Sequence, residues 1–366
     1  MNGGQKMIIP HFGLARQYVN LKDELLEATD LAMRTGVLMD GEFTAEFEKW
    51  LTDYTGCEYA TVVHSGTHAL EFIAMHIAND EALANDNFDP IIRMPDITYP
   101  ATLNAFLTTG WKVELVDTDK NGIAIDDSEE NMPSSTYNCY VGLYGAASKN
   151  FRYHANNTIV DGAQHWLSAG NNIGLAMAIS FDPTKNLPSS GNGGAVVTND
   201  RTIYDSIVVA KNNGKPDYFD PGTNSRMSEL ECAHMLVRTR YIDQWQKARA
   251  AIRRCYLREF ANLPVRCLSG DFMLHADQKF VIHTDQRDAL RAYLIEQGID
   301  ARIHYPYTLS ELPLSKHANV ISKPDLISTS IHLVRGLLSL PIYPEMTDSE
   351  LEYVISKVRE FYDKSN

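Results

Sequence analysis

In SFDPTKNLPSSGNGGAVV, residues 180–197, a lone lysine, Lys185, follows an apolar run and precedes a loop of Pro, Ser and Gly. Either it is an ordinary solvated charge or, held partly out of water at a strand's end, its amine has a lowered pKa and can attack a carbonyl carbon. Asp161 and Gln164, in VDGAQH, also follow an apolar run. An aspartate so placed caps a turn, or keeps the nitrogen of a heterocycle protonated and makes that ring an electron sink. HSGTHAL brings Ser65, Gly66 and Thr67 to a strand-to-helix junction. Two hydroxyls, a glycine that permits close backbone approach and the positive end of a helix suit a phosphate monoester, although a plain helix cap uses the same residues. Tyr99, in DITYPATLNAF, offers an aromatic face to a flat ring or packs in a core. His64 and His68 are four apart with no third ligand at metal-site spacing, so no metal is expected. The glycines at 191–194 precede a strand instead of joining a strand to a helix, so a dinucleotide fingerprint fails its context.

Residues this far apart need a scaffold to converge. Apolar runs of strand length stand at 59–65, 91–95, 111–117, 139–145, 157–163, 175–181 and 194–199, alternating with helical patterns. That alternation predicts an α/β fold, a mostly parallel sheet covered by helices, and its ligands belong at the strand ends. Leu70, Ile73, Ala74 and Ile77 make the segment after Ser65 an amphipathic helix. A long helix is expected over 227–262, then a strand at KFVIHT, a helix at RDALRAYLIEQG ending at Gly298, a strand at ARIHYP, and a last helix behind the capping box TDSE at 347–350. We expect a large domain over 1–236 and a smaller α+β domain over 237–366. The segments 79–90 and 212–225 look least ordered.

The 366 residues carry a formal net charge of -14, which disfavours a nucleic-acid partner, whose backbone is bound through clustered Lys and Arg. No apolar run approaches the roughly 20 residues of a membrane span, and the N-terminal segment has no export or organelle-targeting pattern, so a cytoplasmic protein is expected. The five cysteines are scattered, without paired spacing, and read as reduced thiols.

The order of these features, from phosphate cup through aromatic, Asp-x-x-Gln and lysine to Gly-rich loop, resembles the sugar aminotransferases of the DegT/StrS group. These are pyridoxal-phosphate enzymes of the aspartate-aminotransferase fold, fold type I. The likeness runs through GEFTAEFEKWL, SGTHAL, TYPATLNAF, VDGAQH, SFDPTKNLPSSGNGGAVVTND, NSRMSELECA, GIDARIHYP and LSLPIYPEMTDSELEYV. It implies that Lys185 carries pyridoxal 5'-phosphate as an imine, that Asp161 pairs with the pyridine nitrogen, that Gln164 sits on the phenolic oxygen side and that Tyr99 stacks on the ring. Ser65, Gly66, Thr67 and Ser180 would hold the phosphate. Asn224 would reach the phosphate of a neighbouring subunit, which implies a homodimer with shared sites. The implied reaction moves an amino group from L-glutamate to a keto sugar on a nucleotide carrier, with a slight preference for a 3-keto sugar. A cofactor-bound regulator or scaffold without turnover, or a non-sugar carbonyl substrate, is the alternative. His304, Tyr305 and Arg226 are candidates for substrate contact or for structure. The chain departs from the group's pattern at Asp182, Gly162 and Asn213, at DEALANDNFDP and at YTLSELPLS, and these differences fall mainly where substrate would sit.

Overall fold

The computed structural model describes residues 7–84, 89–123, 135–147, 157–170, 173–219, 221–268 and 274–364. The strands that position the site are β1 (Tyr59–Val63), β2 (Ile91–Pro95), β3 (Lys112–Val116), β4 (Thr136–Val141), β5 (Thr158–Asp161), β6 (Ala176–Ser180) and β7 (Gly194–Thr198), followed by β8 (Arg266–Cys267), β9 (Phe280–His283), β10 (Val320–Ile321) and β11 (Leu337–Leu340). The large sheet has the order β1-β7-β6-β5-β4-β2-β3-β10. All its strands point one way except β7, which runs antiparallel to both β1 and β6.

Period-two alternation divides these strands between two cores. Met177 and Ile179 of β6 face the core built with Leu25, Phe47 and Leu51. Ala176 and Ala178 of the same strand face the core of Leu70, Ile73, Phe106 and Trp111. Both faces are dry, so β6 and β7 are continuous apolar runs instead of alternating ones. The first core is roofed by α1 (Leu14–Thr35), α2 (Glu42–Thr55) and α6 (Glu229–Thr239), the second by α3 (Gly66–Ala84), α4 (Pro100–Thr108) and α5 (Arg201–Ala210). Each Leu, Ile or Phe fully buried there contributes about 1.5–3 kcal/mol.

The small sheet, β11-β9-β8, is antiparallel. It packs under α7 (Ile242–Glu259), α8 (Arg287–Glu296) and α10 (Asp348–Asp363) around Ile252, Tyr256, Leu290, Val354 and Val358, while α9 (Ser328–Val334) precedes β11. The capping box forms as expected, Thr347 and Glu350 each accepting the other's backbone N–H. Gly298 takes the left-handed conformation, φ 84°, after α8. We propose the division into residues 1–236 and 237–366 as two domains. Three pairings cross that seam: Ile9 bridges Ile299, Leu274–His275 pairs antiparallel with Ala146–Ala147, and β10 joins the large sheet beside β3.

Four expectations are corrected. The helix expected over 227–262 is two helices, α6 and α7, interrupted at Arg240 and Tyr241. Thr239 turns its hydroxyl onto the carbonyl of Leu236, and Arg240 and Tyr241 reach Glu24 of α1, so local side-chain bonds compete with the helical ladder. ARIHYP is no strand: Arg302 pairs backbone with Ser339 of β11, and beyond it Tyr305 leaves to meet Gln164. Several strand runs overshoot the sheet's edge; Leu143–Gly145, expected in a strand, is a short 3-10 turn with Tyr144 at φ 63°. α3 continues to Ala84, into the segment 79–90, of which 85–88 lie outside the described residues. The other segment, 212–225, is a loop drawn together by a bridge between Asn212 and Asn224.

Candidate active site

The C-terminal ends of β1, β4, β5 and β6 and the start of the antiparallel β7 open into a cavity of about 410 Å³. Ser65, Gly66, Thr67, Tyr99, Asp161, Gln164, Ser180, Lys185, His304 and Tyr305 all line it. Asn224 and Arg226 do not: Asn224 is exposed on its loop, and Arg226 pairs with Asp40 at 2.8 Å.

The first wall is the strand-to-helix junction at HSGTHAL. β1 ends at Val63 and α3 begins at Gly66, so the helix N-terminus, with its unpaired N–H groups and partial positive charge, faces the cavity. Ser65 caps it, its hydroxyl accepting the N–H of His68 at 3.2 Å. The cup is packed backbone to backbone. A Cβ on Gly66 would stand 2.7 Å from Ser180 Cβ, and one on Gly194 would stand 2.3 Å from the carbonyl carbon of Ser65. His68 is occupied by Ser225, its Nδ1 lying 2.6 Å from that hydroxyl.

Asp161 ends β5 and is buried. Thr102, on α4, donates its hydroxyl to Asp161 Oδ2 at 2.8 Å, and the N–H of Ala163 donates to Oδ1 at 3.1 Å. Burial pushes the carboxyl up, opposed by these two donors and by the charge of Lys185. Lys185 is the mirror case: burial lowers its amine, and Asp161 and Asp182 pull it back up. Burial thus draws the amine toward its neutral form and the carboxyl toward its protonated form, and the charge of each group offsets part of the other's shift. The loop carrying Lys185 is held from two sides. The Lys185 N–H donates to the Asp182 carbonyl at 2.8 Å, Gln278 donates to the Thr184 carbonyl at 3.0 Å, and Asn186 donates to Gln246 at 2.9 Å and to the Ala276 carbonyl.

Gln164 is fixed at both ends: it accepts the N–H of Tyr144 and donates to the Tyr305 hydroxyl at 3.0 Å. Tyr99, the residue before α4, stays 58% exposed, with its ring 5.8 Å from that of Tyr305. It therefore borders the mouth of the cavity.

The opposite wall contains residues that motif spacing does not mark. Phe12, Lys279 and Arg302 line the cavity, and His11 lies behind them with its ring 5.4 Å from His304. Burial is the chief cause that lowers both imidazoles, His11 to about 4 and His304 to about 2, with Lys279 next. Both rings are thus neutral, and His304 Nδ1 meets the Ser339 hydroxyl at 2.9 Å. Lys279 heads an apolar strand run, and Thr102 sits one turn into a helix; neither position carries a signal legible without the fold. Asp182 stood out in the sequence only as a departure from the group's pattern, yet it too lines the cavity.

This donor set fits pyridoxal 5'-phosphate: a helix N-terminus with hydroxyls for the phosphate, a buried carboxylate for a ring nitrogen, and a partly desolvated amine for the aldehyde. Comparison with known proteins agrees. A family model described as the DegT/DnrJ/EryC1/StrS aminotransferase family matches residues 19–131 and 161–359. A "Pleiotropic regulatory protein" of Geobacillus stearothermophilus is 29% identical, over 97% of this chain and 99% of its own. The dTDP-3-amino-3,6-dideoxy-alpha-D-galactopyranose transaminase of Aneurinibacillus thermoaerophilus is also 29% identical, over 97% of this chain and 99% of its own. Among solved structures, DesV of S. venezuelae superposes with a TM-score of 0.86 at 26% identity, covering 97% of this chain and 98% of that one. The chain belongs to the DegT/DnrJ/EryC1/StrS family and is a pyridoxal-phosphate-dependent aminotransferase of the α/β class.

Proposed function

We propose that the chain moves an amino group from L-glutamate to a keto sugar carried on a nucleotide, with a slight preference for a 3-keto sugar. The observation that carries this reading is the convergence of Lys185, Asp161 and the Ser65–Thr67 cup on one cavity at the C-terminal edge of the sheet. The Aneurinibacillus relative, named for a 3-amino sugar product, supports the preference.

Pyridoxal phosphate, when bound, supplies an electron sink that stabilises negative charge on the carbon bearing the amino group. Lys185 would anchor it and, once its amine is free, carry the proton to and from that carbon at Nζ, a task suited to an amine of lowered pKa. Asp161 would hold the proton on the ring nitrogen, and Thr102 and Ala163 keep its two oxygens oriented for that purpose. Ser65, Gly66, Thr67 and Ser180 would hold the phosphate. Gln164, pinned between Tyr144 and Tyr305, would fix the phenolic side, and Tyr99 would cover the ring's outer face. Tyr305 and His304 would meet the substrate from the far wall.

A homodimer with shared sites is part of the proposal, and the cytoplasm is its expected place. Its support is the exposed apolar stripe Val19, Leu26 and Met33 along α1, together with Tyr218 and Phe219, 65% and 90% exposed on the loop that carries Asn224 and precedes Arg226. No helix among the described residues is long and apolar enough to cross a membrane. A second reading, a cofactor-bound regulator, is favoured by the name of the Geobacillus relative.

One experiment separates the two. The purified protein should be yellow, elute as a dimer by light scattering, and bleach on addition of glutamate. The bleached protein, offered a panel of nucleotide-linked 3-keto and 4-keto sugars and simple ketones, should regain colour with a 3-keto sugar. Lys185→Ala should slow transfer by about 10²–10⁴-fold. A protein that binds the cofactor but never bleaches with any amino donor refutes the transferase reading in favour of the regulator.

A further inference from the structure

We propose that Lys279, with Arg302 beside it, receives a carboxylate group of a substrate in the active-site cavity; this rests on the transferase reading above. Lys279 immediately precedes β9, and its N–H donates to the Tyr144 carbonyl at 3.1 Å, so the backbone cannot withdraw the side chain. The residue is only 5% exposed and lines the cavity. Among the described residues, its ammonium makes no hydrogen bond and no salt bridge. What it does have is an aromatic face, the Phe12 ring, whose centroid lies 5.5 Å from Lys279 Nζ and 5.2 Å from Arg302 Cζ.

An ammonium kept from water without a counter-ion destabilises the fold. Burial is the chief cause that lowers the Lys279 amine well below its ordinary value, with the charges of Lys185 and Arg249 next, and Asp182 opposes them without contacting it. An entering anion offsets all of these. The charge balance selects its kind. Arg302 is already paired with Asp300 at 2.7 Å, so among the described residues of this wall Lys279 is the basic side chain left without a counter-ion, and an entering monoanionic carboxylate would supply one and favour its charged form. A phosphate dianion has its own donors in the cup at the start of α3. The carboxylate comes either from the amino donor or from a keto sugar acid.

The test uses the cofactor-loaded enzyme and Lys279→Met, with Lys279→Gln as a second neutral variant and Lys279→Arg to restore the charge. Three quantities are read: the glutamate concentration that half-bleaches the cofactor, the half-saturating concentration of a keto sugar acid against its neutral 6-hydroxyl counterpart, and calorimetric binding of glutarate, which needs no turnover. If the donor supplies the carboxylate, the neutral variants raise the glutamate and glutarate values by roughly 10–100-fold. If the acceptor supplies it, only the sugar acid weakens. In either case Lys279→Arg recovers most of the loss, and Lys279→Met melts at a higher temperature than the parent, the opposite of a structural role. Unchanged values in all three measurements, or a lower melting temperature with equal weakening of acid and neutral ligands, overturn the inference. A parent enzyme that never bleaches refutes the transferase reading instead, and the glutarate measurement still decides the role of Lys279.

Discussion

The two walls of the cavity are built on opposite electrostatic terms. On the wall formed by the large sheet the charged groups are matched: Asp161 has Thr102, Ala163 and the Lys185 charge, and α3 brings its N-terminus to the hydroxyls of Ser65 and Thr67. On the wall around the small sheet Lys279 has no hydrogen-bond or ion-pair partner among the described residues, and the His11 and His304 imidazoles are kept neutral by burial. A ligand that stays bound through every turnover rewards a preorganised site. A ligand that must enter and leave is better met by groups that wait for it, and the fold carries the cost between visits.

The largest effect expected from this contrast is at Asp161. Asp161→Asn keeps the shape but loses the charge, and transfer should slow by about 10²–10³-fold while glutarate binding stays as it was; a rate within a few-fold of the parent would remove Asp161 from the matched wall. Thr102→Val is the sharper comparison. It leaves a buried carboxylate short of a donor, so it should cost about 1–3 kcal/mol of stability in chemical denaturation. Lys279→Met should move stability the other way, and equal signs for the two variants would erase the distinction between the walls.

The last effect is a pH slope. Both His11 and His304 are held below the free value of 6.5, so the unfolded chain takes up protons first as pH falls. The stability they confer is complete above about 6.5 and is lost below it, until the folded imidazoles titrate near 4 for His11 and near 2 for His304. Each group contributes up to about 1.4 kcal/mol per pH unit within that window. His304→Asn should flatten the fall of melting temperature between pH 6 and 4; an unaltered slope would mean that the ring is already wet.

The matched wall was legible because its parts are local. Ser65–Thr67, Asp161 and Lys185 each lie at a strand's end or within a few residues of it, and a strand end is written in consecutive apolar residues. What misled was also local: apolar character continues past the sheet's edge into Leu143–Gly145, and the two helical faces of α6 and α7 read as one because Thr239 breaks the ladder with a hydroxyl, not with a proline or glycine. Arg302 and His304 looked like strand residues since their side chains alternate, yet only Arg302 finds a backbone partner.

The sequence by itself determined the layered α/β architecture, the lysine and aspartate at their strand ends, and the cup at the start of α3, because periodicity and junction chemistry act over a few residues. The tertiary structure alone decided that Phe12, Lys279 and Arg302 line the cavity from the far side, and that among the described residues Lys279 stands there without a counter-ion. Burial and the pairing of charges depend on chain segments distant in sequence, and no local pattern encodes which of them meet.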